Sequence, residues 1–120
     1  MDLQRVRAHC LAKPGVDEGY PFGPGALVFK VGGKMFALIG EDDEPLTVSL
    51  KCEPGLAAAL REAHPSVRSG YHLNKRHWNT VSLDGTVPDD EVRGWIDDSY
   101  DLVCAGLPRR VRDALAGPAT

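Results

Sequence analysis

Two adjacent glycines, Gly32-Gly33, separate the runs Leu27-Val28-Phe29-Lys30-Val31 and Lys34-Met35-Phe36-Ala37-Leu38-Ile39. A two-residue link between β-rich runs needs positive φ at its centre, which glycine adopts without steric cost, so the pair predicts a tight hairpin. That commits the chain to an antiparallel ribbon, whose apolar face the rest of the sequence has to cover. After the acidic turn Glu41-Asp42-Asp43-Glu44-Pro45, Leu46, Val48 and Leu50 alternate with Thr47, Ser49 and Lys51. Alternation of this kind predicts a third, half-exposed strand with one dry face. Two more strands fit Val67–Leu73 and His77–Leu83, the latter closed by Asp84-Gly85.

Three helices supply the cover. Asp2 is an N-cap for a helix carrying Leu3, Val6, Cys10 and Leu11, which Pro14-Gly15 stops. Residues Val16 to Gly25, rich in glycine and proline, read as a loop. Pro54 suits the first turn of a second helix through Leu56, Leu60 and Ala63, ended by His64-Pro65. A long helix follows Pro88, with Asp89, Asp90 and Glu91 at its positive end. Val92, Trp95, Ile96, Ser99, Leu102 and Val103 form its apolar stripe, which leaves the Ser99 hydroxyl to bond a backbone carbonyl or a neighbouring element. Gly106 is its C-cap, and Pro108 opens a short basic segment, Arg109-Arg110-Val111-Arg112. The expected architecture is α+β, with about five antiparallel strands and helices on one face, in the order α-β-β-β-α-β-β-α. At 120 residues this is one domain, 1–120.

Charge and cysteine content restrict the function classes. The chain carries a net charge of −3, so bulk attraction to polyanions is not expected and any such binding needs a local basic patch. No apolar run approaches the roughly 20 residues that span a bilayer, and Asp2, Arg5 and Arg7 interrupt any signal-peptide core. Cys10, Cys52 and Cys104 are an odd set without close spacing, which fits free thiols and a cytoplasmic setting.

The phrases Gly19-Tyr20-Pro21-Phe22-Gly23, Val28-Phe29-Lys30-Val31 and Gly33-Lys34-Met35-Phe36-Ala37 resemble the opening of the MmcQ/YjbR family. Leu50-Lys51-Cys52-Glu53-Pro54, Leu73-Asn74-Lys75-Arg76-His77-Trp78-Asn79 and Ser99-Tyr100-Asp101-Leu102-Val103 continue the resemblance in order along nearly the whole chain. It implies a small α+β fold similar to frataxin-like and secretion-chaperone-like architectures. Members are described as predicted DNA-binding proteins with a double-wing motif.

The residues themselves can be weighed for that role. Between His64 and Leu83 there is no carboxylate, whereas Arg68, Lys75 and Arg76 are basic, and His64, His72 and His77 fall in the same stretch. Lys75 and Arg76 at the second hairpin tip, and Lys30 and Lys34 around the first, are placed to meet phosphates. His77 supplies hydrogen bonding, and Trp78 or Tyr71 could stack on an unpaired base. The expected partner is DNA, held weakly and largely without sequence readout.

Other chemistries find less support. Ser99-Tyr100-Asp101 points in three directions on one helix and forms no local triad, so no catalytic residue and no cofactor is assigned. Asp90, Asp97 and Asp101 read as the wet face of the last helix, and no metal site is assigned. The alternative function is an adaptor for a small molecule, a protein partner or a second copy, drawing on Tyr20, Phe22 and Tyr71 near glycine-rich segments.

Overall fold

In the computed structural model, which describes residues 1–70 and 73–115, one six-stranded antiparallel sheet carries four helices. The strands are β1 (Val16–Gly19), β2 (Ala26–Val31), β3 (Lys34–Gly40), β4 (Thr47–Lys51), β5 (Val67–Ser69) and β6 (Trp78–Ser82). The helices are α1 (Leu3–Leu11), α2 (Pro54–Ala63), α3 (Asp89–Ala105) and α4 (Arg109–Leu115). The sheet order is β1-β2-β3-β4-β6-β5. None of the described helices is long and apolar enough to cross a membrane.

The glycine hairpin forms as expected. Val31 pairs with Lys34, and Gly32 and Gly33 take φ values of +56° and +78°, the left-handed pair a two-residue turn requires. Asp2 caps α1 by accepting the Arg5 N–H at 2.9 Å. Pro54 opens α2, but the cap is Glu53, whose carboxylate oxygens accept the N–H groups of Gly55 and Leu56 at 3.0 Å. The core lies between the sheet and the helices. Leu27, Phe29, Val31, Phe36, Ile39, Val48, Leu50 and Val81 meet Val6, Cys10, Val92, Ile96, Tyr100 and Val103 there.

Four expectations need correction. Val16–Gly19 is a strand, not loop: this edge segment is held by backbone pairing to β2, and only Val16 of its four residues carries a strand-like side chain. The sheet therefore has six strands rather than about five. β4 is not half-exposed. Thr47 and Ser49 are buried in a central strand, where Thr47 donates to Asp43 at 2.6 Å and the Ser49 and Thr80 hydroxyls meet at 2.8 Å. The basic segment after Pro108 is a fourth helix, α4.

β5 and β6 are also shorter than expected, and Tyr71 and His72 lie outside the described residues. In the loop after β1, Phe22 is 67% exposed, while the Tyr20 hydroxyl donates to Glu41 at 2.8 Å. The Cys10 and Cys52 side chains are buried, and Cys104 is half-buried; all three are free.

Candidate nucleic-acid interface

Strand register decides where the cations lie. β2 runs toward Gly32-Gly33 and β3 runs away from it. β4 returns, because Gly40 pairs with Thr47 and Ala37 with Leu50. Lys51 pairs with Trp78 and Asn79 with Ser69, so the β5–β6 connection leaves the sheet at the Gly32 end as well. The chain between α1 and β1 reaches this end too, since Val16 pairs with Val31. Leu107 and Val111 pack against Gly32, where no Cβ intervenes, and this close approach seats α4 beneath the hairpin turn.

One end of the sheet thus gathers Lys13, Lys30, Lys34, Lys51, Lys75, Arg76, Arg109, Arg110 and Arg112, together with the carboxylates of Asp17, opposite Lys30, and of Glu53, Asp98 and Asp101, beside Leu102. The opposite end carries Glu41, Asp42, Asp43, Glu44, Asp84 and the first turn of α3, Asp89, Asp90 and Glu91. Some of the basic-end charge is already used. Asp97 lies 2.5 Å from Lys13 Nζ, and Asp113 lies 3.9 Å from Arg109. Among the described residues no ion pair engages Lys30, Lys34, Lys51, Lys75 or Arg76.

The residues singled out in the sequence do not form one patch. Lys30 and Lys34 leave opposite faces of the hairpin: Lys34 is the cross-strand partner of the core residue Val31, whereas Lys30 faces with Met35 and sits opposite Asp17. Lys75 and Arg76 are exposed, but on a compact turn rather than at the tip of a projecting ribbon. Asn74 Oδ1 accepts the Arg76 N–H at 3.0 Å, and the Asn74 carbonyl accepts the Trp78 N–H at 2.9 Å. Arg61 braces this turn from α2 by donating to Asn79 Oδ1 at 2.7 Å. His77 is half-buried, its carbonyl accepting the Cys52 N–H at 2.7 Å. Its ring helps hold the Glu53 carboxyl below the usual range, after the larger effect of the Gly55 and Leu56 amides. Arg68 lies away from this end, donating to Ser82 at 2.8 Å.

What does come together is Lys34, Lys51 and Trp78. With Met35, Leu102, Val103 and Gly106 they line a groove of about 330 Å³ between the strand ends and the C-terminal half of α3. Lys51 was legible only as the outer end of an alternating strand, and the α4 arginines only as a basic run. Their position depends on pairings between distant segments. Asp97 on α3 also meets His9 Nε2 at 2.8 Å, so its carboxylate is shared between two α1-side partners.

A family model described as YjbR matches residues 11–102. The chain belongs to the YjbR family. It is 38% identical to the uncharacterized protein YjbR of Escherichia coli (strain K12), over 96% of this chain and 98% of that one. It is 38% identical to the uncharacterized protein YbdF of E. coli O157:H7, over 83% of this chain and 82% of that one. Among solved structures, the Deinococcus radiodurans protein DR2400, of domain family DUF419, superposes with a TM-score of 0.90 at 42% identity, covering 97% of this chain and 88% of that chain. A Pseudomonas syringae protein superposes with a TM-score of 0.74 at 28% identity, covering 85% and 98%. The α+β fold is therefore shared with both solved structures.

Proposed function

We propose that this YjbR-family protein is a non-enzymatic, cytoplasmic nucleic-acid-binding protein that holds the phosphate backbone of DNA with the basic end of its sheet. The observation that carries this reading is the convergence of the basic connections on one end of an otherwise acidic molecule. A local field of one sign is what polyanion binding needs when net charge is unfavourable. Lys34 and Lys51 serve the groove, while Lys75 and Arg76 serve its flank. In this reading the first wing is the Gly32-Gly33 hairpin and the second is the braced turn at Lys75-Arg76. Lys30, which faces with Met35 but is not among the residues lining the groove, contributes to the field rather than to the same contact.

Contact with about three or four phosphates gives a slope of log affinity against log salt near −3 to −4, and binding that is weak and largely sequence-independent. Fluorescence anisotropy with labelled DNA across a salt series tests it. Lys75→Ala with Arg76→Ala should weaken binding and flatten the slope by about two, since each lost phosphate contact removes about one counterion release. Unchanged affinity and slope would reject the assignment. The adaptor alternative rests on a different surface, the exposed Phe22 loop at the acidic end. It predicts that Phe22→Ala leaves DNA binding untouched and abolishes capture of a protein partner.

A further inference from the structure

The groove at the basic end has a composition of its own. Among the described residues its walls are Trp78, Met35, Leu102, Val103 and Gly106, its charged groups are Lys34 and Lys51, and no carboxylate lines it. The neighbouring groove, on the other side of Leu102, differs in that Glu53, Asp98 and Asp101 line it. A ligand that is apolar and flat in one part and anionic in another fits the first groove and is repelled by the second.

Trp78 is also held in place. Its backbone N–H donates to the Asn74 carbonyl at 2.9 Å, and its backbone carbonyl accepts the Gly70 N–H at 2.8 Å. Gly70 can pass so close because it has no side chain: a Cβ there would stand 2.8 Å from the Cβ of Trp78. The cross-strand partner of Trp78 is Lys51, so the indole and an ammonium leave the same face of the sheet side by side.

We infer that this groove receives one unstacked nucleobase on Trp78, with the adjoining phosphates on Lys34 and Lys51, so that the protein engages single-stranded rather than duplex nucleic acid. This rests on the nucleic-acid reading above and narrows it. At about 330 Å³ the groove lies at the lower limit of ligand-sized pockets, roughly 300–1,000 Å³, which is room for one base and not for a double helix. In a duplex every base is paired and stacked, and a half-buried indole reaches one only after it has been flipped out. A single strand offers the same ring without that cost, and stacking on an aromatic platform tolerates any base.

A free mononucleotide presents the same chemistry as one residue of a strand, so the test must separate the two. The intact protein is titrated by anisotropy with a labelled oligothymidylate of about 12 nucleotides, within the usual site sizes of single-strand binders, and with a duplex of equal length. Thymidine monophosphate serves as competitor. The strand should bind at least about tenfold more tightly than the duplex, and Trp78→Ala should weaken the strand by about tenfold while leaving the duplex within about twofold. Trp78→Phe keeps a stacking ring and should retain most of the strand affinity. Lys51→Ala, which leaves the indole in place, should weaken the strand several-fold.

Equal affinity for strand and duplex, or a Trp78→Phe variant as weak as Trp78→Ala when both are folded by circular dichroism, would overturn the inference and leave the nucleic-acid reading standing. Competition by the mononucleotide as strong as by the unlabelled strand would also overturn it. Absence of binding to either probe at low salt would sink both.

Discussion

Ser99 should be far more costly to remove than a lone serine on an apolar helix stripe. Ala37–Leu50 is the last pair of the β3–β4 ladder, and the next would join Phe36 to Lys51. The Ser99 hydroxyl occupies that position instead: it donates to the Phe36 carbonyl at 2.6 Å and accepts the Lys51 N–H at 2.8 Å, while fully buried itself. On the β2 side, Phe36 is the residue skipped where the pairing moves from Phe29–Ala37 to Lys30–Met35. Ser99→Ala leaves one backbone acceptor and one donor unpaired beneath α3. Each such group costs about 1–3 kcal/mol when buried, so the pair should cost about 2–6 kcal/mol. Urea denaturation at neutral pH measures this as a lower midpoint at unchanged slope, and hydrogen exchange should show faster loss of the Lys51 amide. A loss under about 1 kcal/mol would refute the reasoning, because Phe36 and Lys51 would then have closed into a direct ladder bond.

Further outcomes follow from single residues. Gly32→Ala meets both a left-handed backbone and the side chains of Leu107 and Val111, whereas Gly33→Ala meets the backbone cost alone, about 1–2 kcal/mol. Gly32→Ala should therefore be the more destabilising in urea melts, and the reverse order would contradict the docking of α4. Burial works to raise the Asp97 carboxyl, but the hydrogen bonds from Lys13 and His9 together outweigh it and hold the group below its ordinary 3.8. Its contribution to stability is present above that value and lost as pH falls through the lowered one. Asp97→Asn should then make stability less steep in acid below about pH 4, and an unaltered acid limb would show that the cluster contributes nothing. Burial pushes the Cys10 thiol up to about 12, so in the native protein it should resist a disulfide-exchange reagent at pH 8 and react only in denaturant.

The parts of the fold legible in the sequence are those set by local chemistry. The Gly32-Gly33 turn, the Asp2 cap, the proline at the start of α2 and the outward-bonding role of Ser99 depend on residues a few positions apart, or on one helical period. β1 was hidden because an edge strand is held by backbone hydrogen bonds, which leave little trace in Val16-Asp17-Glu18-Gly19. Thr47 and Ser49 alternate like surface residues, yet they sit in a central strand and bond to Asp43 and Thr80. The separation of Lys30 from Lys34 could have been read: across a two-residue turn, the partner of Lys34 is Val31, and alternation then sends Lys30 to the other face. The joining of Lys51 and Trp78 could not, because it depends on a β4–β6 pairing that encloses α2 and β5.

Net charge argued against a polyanion partner, and the topology explains why that argument is weak. In this sheet the connections alternate between two ends, with the acidic turn Glu41-Asp42-Asp43-Glu44 at one and Gly32-Gly33 at the other. The seven residues of β3 separate these turns by roughly 20 Å at about 3.3 Å per residue. At physiological salt the screening length is about 8 Å, so a ligand on the basic end lies more than two screening lengths from those carboxylates. Asp42→Lys with Glu44→Lys turns the formal net charge from negative to positive and should still change DNA affinity by less than about twofold near 0.15 M salt. The same variant should bind measurably more tightly at 0.01 M, where the screening length is about 30 Å. Lys75→Glu with Arg76→Glu, which makes the net charge more negative at the contact itself, should abolish binding at both. If the distant reversal strengthened binding tenfold at 0.15 M, total charge rather than its placement would govern the interaction, and the basic end would lose its claim to be the site.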